Sequence, residues 1–149
     1  MPWVTHERVV VMTPRQKKRV RESFEKLRPI SDCVSALFYI RLFELDPKLR
    51  RLFVGNMEKQ GGELMQFITE VINALDDFDS MLPELERLGR LHVKFGAKDY
   101  DYDTVYIALL WSLEQGLDLA FTNEVKMAWT DLYELISGVM KAAAAEIAA

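Results

Sequence analysis

Hydrophobic residues recur along this chain at spacings of three and four, which is the period of an α-helix. The repeats break at the five prolines and at short polar stretches. They predict helices over about residues 14–28, 31–45, 58–75, 83–96, 101–120 and 123–147, a helical turn over 47–53, a loop over 54–56 and a polar linker over 76–80. No stretch alternates with the two-residue period of a β-strand. The chain is therefore predicted to be all-α, with about seven helices.

The composition is that of a single folded domain. Of 149 residues, 50% are hydrophobic and 28% are charged, and the formal net charge is −4. This length fits one domain, so we expect an N-terminal extension over residues 1–12, a domain over 13–149 and no fused reductase. The negative charge gives no general attraction to nucleic acid or anionic membranes. Because no apolar run has membrane-spanning length and the N-terminus lacks a signal-peptide pattern, we expect a cytoplasmic protein.

The first predicted helix is rich in positive charge. Its basic residues are Arg15, Lys17, Lys18, Arg19, Arg21, Lys26 and Arg28. We interpret this run as a solvated outer face, which is the usual role of such a run. The alternative is a docking face for an acidic partner or nucleic acid.

Few residues are available for metal or nucleophilic chemistry. The chain has two histidines, His6 and His92, and one cysteine, Cys33. A zinc site needs three or four protein ligands, and Cys33, beside Val34 and Leu37, is expected to pack as a small buried thiol. Taken alone, His92 is more often a structural histidine than a ligand. Axial ligation of haem iron nevertheless remains open, because it needs only one histidine.

Six residues in order resemble a pattern of the globin family: Tyr39, Phe53, Gln60, Leu64, His92 and Tyr102. The resemblance covers about residues 14–140 and is greatest to the bacterial single-domain haemoglobins and the globin domains of flavohaemoglobins. It extends to Leu109-Leu110-Trp111, Ala128-Trp129 and Tyr133. The resemblance implies the globin fold, in which helices pack round a pocket for haem b (iron protoporphyrin IX).

The resemblance also implies roles for individual residues. His92 matches the proximal ligand of the haem iron, and we expect a backbone carbonyl near Leu88 to hold its second ring nitrogen. Tyr39 and Gln60 match the distal residues that hydrogen-bond a diatomic ligand. The haem-pocket residues that the resemblance implies are Phe53, Gln60, Leu64, Leu88, Phe95 and Tyr102.

Two further positions bear on packing and on the proximal side. Ser35 and Gly61 match small residues where two globin helices cross at close range. The glutamate that supports the proximal histidine in flavohaemoglobins would lie eleven residues after Tyr133, where this chain has Ala144. With Tyr102 present but no carboxylate, we expect weaker electron donation to the iron and less peroxidase-like or dioxygenase chemistry.

The resemblance implies a haem whose ferrous iron is five-coordinate and open on the distal side. We therefore expect a protein that reversibly binds O2, and also CO or NO, with Tyr39 and Gln60 slowing O2 release through hydrogen bonds. The alternatives are a nitric oxide dioxygenase that needs an external reductase, and a haem-based gas or redox sensor module. We expect a monomer or a weak homodimer.

Overall fold

The structure, a computed structural model, describes residues 10–53 and 55–148. It contains the helices α1 (Pro14–Leu27), α2 (Ser31–Leu45), α3 (Met57–Asn73), α4 (Leu82–Lys94), α5 (Asp99–Leu117) and α6 (Asn123–Ala148). Short 3-10 helices span Arg28–Ile30, Pro47–Leu52, Leu75–Met81 and Asp118–Ala120. The described residues form no strand. The prediction of an all-α chain is confirmed.

Capping residues mark the starts of α1 and α3. Thr13 Oγ1 accepts a hydrogen bond from the Gln16 N–H at 3.1 Å, and the Gln16 side chain accepts one from the Thr13 N–H at 3.0 Å. Pro14 follows in the first turn, where its missing N–H costs nothing. Asn56 caps α3 by accepting from the Glu58 N–H at 2.8 Å. The helices thus begin within one or two residues of their predicted starts.

The segment 76–80 is not the linker that its polarity predicted. It belongs to the 3-10 helix Leu75–Met81. Leu75 is buried, and Ser80 Oγ donates to the Asp77 carbonyl at 2.7 Å. The segment is kinked at Asp77, whose φ of −143° and ψ of 57° are not helical, and 3-10 turns lie on either side of this residue.

The single cysteine, Cys33, is exposed, so the expectation of a buried thiol is wrong. The buried face of α2 contains Val34, Phe38 and Leu42 at four-residue spacing. Cys33 lies one residue before this series, and one residue corresponds to about 100° of rotation round a helix. Its side chain therefore points away from the core.

The hydrophobic core has two parts. The larger cluster joins α1, α2, α3, α5 and α6 and includes Val20, Phe24 and Trp129, whose indole N–H donates to the buried Ser23 Oγ at 2.8 Å. Met12, which precedes the expected start of the domain, is also buried in this cluster. The smaller cluster contains Phe38, Tyr39, Leu42, Leu49 and Ala108. It lies beside the cavity described below.

Two glycines allow helices to approach closely. A Cβ on Gly61 of α3 would lie 2.7 Å from Ser35 Oγ of α2. A Cβ on Gly89 of α4 would lie 2.2 Å from the Met140 carbonyl oxygen of α6, which is far inside van der Waals contact. Ser35 and Gly61 therefore form the close helix crossing that the sequence predicted, and Gly89 forms a second one.

Ion pairs within the chain engage the basic face of α1. Lys17 and Arg21 pair with Asp76 at 3.3 and 2.9 Å, and Arg15 and Arg19 pair with Glu124. These contacts support the interpretation of a solvated face over a docking face, since acids of the same chain already engage four of its basic groups. A search of the described residues finds no helix long and apolar enough to cross a bilayer.

Candidate functional site

A cavity of about 600 Å³ lies among α2, α3, α4, α5 and α6, and most of the residues that line it are hydrophobic. The structure brings seven of the eight predicted site residues to its surface: Tyr39, Phe53, Gln60, Leu64, Leu88, His92 and Tyr102. We call the α2 and α3 residues Tyr39, Gln60 and Leu64 the distal wall. We call the α4 and α5 residues Leu88, His92 and Tyr102 the proximal wall.

Phe95 is the predicted site residue that does not line the cavity, and its side chain is 68% exposed. It is the C-cap residue directly after α4, and Gly96 follows with φ +93°, so the chain turns here. Ala97 lines the cavity instead. The pocket position that the resemblance implied for Phe95 therefore does not match its place in this structure.

His92 is oriented by its own helix. Its Nδ1 lies 2.6 Å from the Leu88 carbonyl oxygen, one turn earlier, so the predicted hydrogen bond is confirmed. Because a carbonyl oxygen only accepts, Nδ1 carries the proton and donates it. The lone pair is then on Nε2, the ring nitrogen that remains available to a metal.

Tyr39 is 8% exposed and is clamped by aromatic rings of the distal side. Its ring lies 4.9 Å from that of Phe38, 6.2 Å from Phe43 and 5.3 Å from Phe53, measured between centroids. Edge-to-face and offset contacts of this kind favour a fixed ring orientation. Phe53, expected as a wall of the haem pocket, thus also holds Tyr39 in place.

The Tyr39 hydroxyl is a hydrogen-bond donor near Gln60. It donates to the Gln60 backbone carbonyl at 3.3 Å, a long distance for an O–H donor. Burial, aided by the nearby charge of Glu63, raises the pKa of Tyr39 to about 12. The phenol therefore stays protonated at neutral pH, and its weak bond to Gln60 is easily exchanged for a better acceptor.

The contact between Gly61 and Ser35 determines which residues of α3 face the cavity. It fixes the rotation of α3 on α2, so that Gln60 and Leu64, one turn apart, both line the cavity. A larger residue in place of Gly61 would push α3 away from α2. The small residue at this position thus positions the distal wall.

Tyr102 belongs to the proximal wall and lacks a hydrogen-bond partner. Its hydroxyl is buried and bonds to none of the described residues. Its ring lies 6.5 Å from the ring of His92. Burial, and then the charge of Asp99, raise its pKa. A buried hydroxyl without a partner costs about 1–3 kcal/mol, which points to a site that is complete only with a bound group.

The α6 helix supports Tyr102 without a carboxylate at the predicted position. The Tyr133 hydroxyl donates to the Tyr102 carbonyl oxygen at 2.6 Å, and Ala144 is buried. The Lys141 ammonium nitrogen lies 5.3 Å from the centroid of the Tyr102 ring, a cation–π contact. The charge that α6 places next to Tyr102 is therefore positive.

Sequence reasoning assigned no role to Gly89 or Lys141. A glycine in the interior of a helix can mark a close approach to another element, and this signal was available for Gly89. No such signal exists for Lys141, because its contact with Tyr102 depends on how α6 crosses α5.

The cavity fits a haem. Its volume lies within the range of about 300–1,000 Å³ found for cofactor pockets. Its lining is mostly apolar, His92 offers Nε2 as a ligand, and the unpartnered Tyr102 hydroxyl lies on the same wall as that histidine. Among the described residues, no group of three or more His, Cys, Asp or Glu side chains could hold a metal ion. Metal binding here would thus rely on one histidine and a cofactor.

Comparisons with known proteins agree with this site. The Globin family model matches residues 36–140. The chain is 29% identical to the neuroglobin of Chaenocephalus aceratus in an alignment 143 positions long, which covers 87% of this chain and 90% of that protein. It is 28% identical over 134 residues to the flavohemoprotein of Bordetella parapertussis, covering 87% of this chain but 33% of that longer protein.

Solved structures show the same fold. A hexacoordinated heme protein from an anhydrobiotic tardigrade superposes with a TM-score of 0.81 at 16% identity, covering 91% of this chain and 97% of that one. An engineered carbene transferase, a candidate nitric oxide dioxygenase from Rhodothermus marinus, gives a TM-score of 0.82 at 22% identity, covering 93% and 96%. Since the family model spans most of the chain, this protein belongs to the globin family.

Proposed function

We propose that this protein binds haem b through His92 and reversibly binds O2 on the distal side of the haem. The observation that carries the proposal is the composition of the cavity. One wall offers the Nε2 of His92, and the other wall offers a protonated, buried phenol, Tyr39, together with Gln60. The haem, when bound, supplies a ferrous iron that takes O2, CO or NO as ligand. Membership of a haem-protein family supports the cofactor.

The distal wall suits a small ligand that carries partial negative charge. Tyr39 supplies an O–H donor in a low-dielectric setting, and a glutamine amide adds N–H donors from the next helix. A good hydrogen bond to such a ligand is worth about 1.5–3 kcal/mol. Gln60 is a poor iron ligand compared with an imidazole, so we expect the ferrous iron to be five-coordinate without gas.

The proximal wall would hold the iron by one residue. The Leu88 carbonyl keeps the His92 ring in one tautomer and one orientation. The packing of Gly89 against α6 fixes the same turn of α4. We expect these two contacts to keep Nε2 aimed into the cavity whether or not a gas is bound.

The direct test is a cycle of oxygenation followed by purging with argon, recorded by absorption spectroscopy on the haem-loaded ferrous protein. We expect the spectrum to change on O2 addition and to return over several cycles. Complete conversion to the ferric form in the first cycle, or no response to O2, would refute reversible binding.

Nitric oxide dioxygenation is a second candidate, favoured by the similarity of this chain to the globin part of flavohemoproteins. In this reaction O2 and NO give nitrate, and an added reductase must return one electron to the iron for each turnover. The test is NO consumption by the oxygenated protein with nitrate counted as product. Equal amounts of nitrate and consumed NO support the activity, and NO loss without nitrate excludes it.

A further inference from the structure

Lys141 places a positive charge against the proximal wall. Its ammonium nitrogen lies 5.3 Å from the centroid of the Tyr102 ring, close enough for a cation–π interaction. The side chain is half-buried. The ion pairs among the described residues do not include Lys141, so its charge is not neutralised by a neighbouring carboxylate there.

Tyr102 connects this charge to His92. The two rings lie 6.5 Å apart at an interplanar angle of 33°. Asp99 lies one turn before Tyr102 on α5 and acts on the same phenol with a negative charge. Tyr102 therefore contacts a cation from α6 and feels the charge of an anion from α5, on the wall that carries the predicted iron ligand.

We propose that Lys141, acting through Tyr102, raises the reduction potential of the iron held by His92 and so favours the ferrous, gas-binding state. This inference rests on the proposed function, because it requires haem on His92. Oxidation of the iron removes one electron and leaves one more positive charge in the pocket. A fixed cation at the wall opposes that change, whereas the carboxylate of Asp99 favours it.

No covalent bond of the protein forms or breaks in this redox step. One electron passes between the iron and an external redox mediator, and Lys141 takes no part in the transfer. Lys141 is thus a positioning and tuning residue rather than a catalytic one. Its effect should be visible in an equilibrium potential, which a purely structural role would leave unchanged.

The test is spectroelectrochemical titration of the haem-loaded protein and of Lys141→Met, which keeps an unbranched side chain but removes the charge. At a fixed mediator potential we expect the ferrous-to-ferric ratio to fall about threefold to tenfold, which corresponds to about 30–60 mV for one electron. Lys141→Gln should shift the potential in the same direction. Lys141→Arg, which keeps the charge, should stay close to the parent.

Asp99→Asn gives the opposite control, since it removes the negative charge that acts on Tyr102. We expect its potential to rise, and the double variant with Lys141→Met to return towards the parent value. An unchanged potential in both Lys141→Met and Lys141→Gln, with a normal haem spectrum, would overturn the inference and leave the proposed function intact. Absence of haem binding by the parent protein would instead refute the proposed function.

Discussion

Each wall of the cavity carries a tyrosine, and the two phenols are held in different ways. On the distal wall, Tyr39 is clamped by the rings of Phe38, Phe43 and Phe53, and its hydroxyl donates to the Gln60 carbonyl. On the proximal wall, the Tyr102 hydroxyl is buried without a partner among the described residues. The distal donor is thus arranged by the chain's own packing.

The different hydrogen bonding of the two tyrosine hydroxyls indicates which wall depends on a bound group. Two residues of the distal wall, Tyr39 and Leu64, pack in the smaller hydrophobic cluster with Leu42, so we expect this wall to keep its shape without a cofactor. The proximal wall uses a histidine with one nitrogen engaged and a phenol without a partner. Changes on the proximal wall should therefore affect cofactor binding first, and changes on the distal wall should affect ligand release.

The largest expected effect is that of His92→Ala, which removes the predicted ligand of the iron. We expect the purified variant to lose haem or to hold it without the parent spectrum, because no other described residue offers an imidazole to the cavity. Measurement of the Soret band after haem addition checks this. His6→Ala, which alters the other histidine of the sequence, is the matched control and should bind haem normally. A normal Soret band in His92→Ala would exclude the proximal role.

The next effect concerns the packing that positions the proximal wall. Gly89→Ala puts a methyl group 2.2 Å from the Met140 carbonyl oxygen, so α4 must move away from α6. We expect the free energy of unfolding to fall by about 1–3 kcal/mol in chemical denaturation. Gly138→Ala is the control, because its added Cβ meets no atom within 4 Å. That variant should be as stable as the parent or more stable, by up to about 1 kcal/mol.

Tyr39→Phe tests the distal wall by removing one hydroxyl and keeping the aromatic cluster. We expect haem binding to be retained and O2 dissociation to be about tenfold to hundredfold faster, because a hydrogen bond worth about 1.5–3 kcal/mol is lost. Stopped-flow displacement of O2 by CO measures the rate. Tyr102→Phe serves as the comparison on the other wall and should change this rate less. O2 release from Tyr39→Phe at the parent rate would exclude Tyr39 as the distal donor.

The smallest expected effect is on stability at alkaline pH. Burial raises the pKa of Tyr39 from 10.0 to about 12, so the folded state holds this proton more tightly than the unfolded chain does. The resulting stability is fully present below about pH 10 and is lost as the pH rises towards 12. We expect the free energy of unfolding of the parent, taken relative to that of Tyr39→Phe, to fall by about 1–2 kcal/mol over that range. A constant difference would show that Tyr39 is not desolvated.

The sequence predicted most of the helices because prolines and capping residues mark their starts, as Thr13 and Pro14 do for α1. It was wrong about 76–80, since a polar composition does not distinguish a linker from a 3-10 helix with one buried residue. The resemblance also implied a pocket position for Phe95, which instead follows the last residue of α4 and is exposed.

Contacts between distant helices explain what else the sequence did not predict. The hydrogen bond from His92 to Leu88 lies within one helix and could be predicted from spacing. The contact of Lys141 with Tyr102 joins α6 to α5, and the approach of Gly89 to Met140 joins α4 to α6. Neither is fixed by local periodicity, because both depend on the crossing of packed helices.

The absorption spectrum of the haem-loaded ferrous protein, recorded before and after CO addition, tests the central claim most directly. With His92 as the one protein ligand and Gln60 on the distal side, we expect a five-coordinate high-spin ferrous spectrum that converts fully to a CO-bound form. Protein that stays colourless despite an ample supply of haem, or ferrous bands of a six-coordinate low-spin iron before CO is added, would contradict the account.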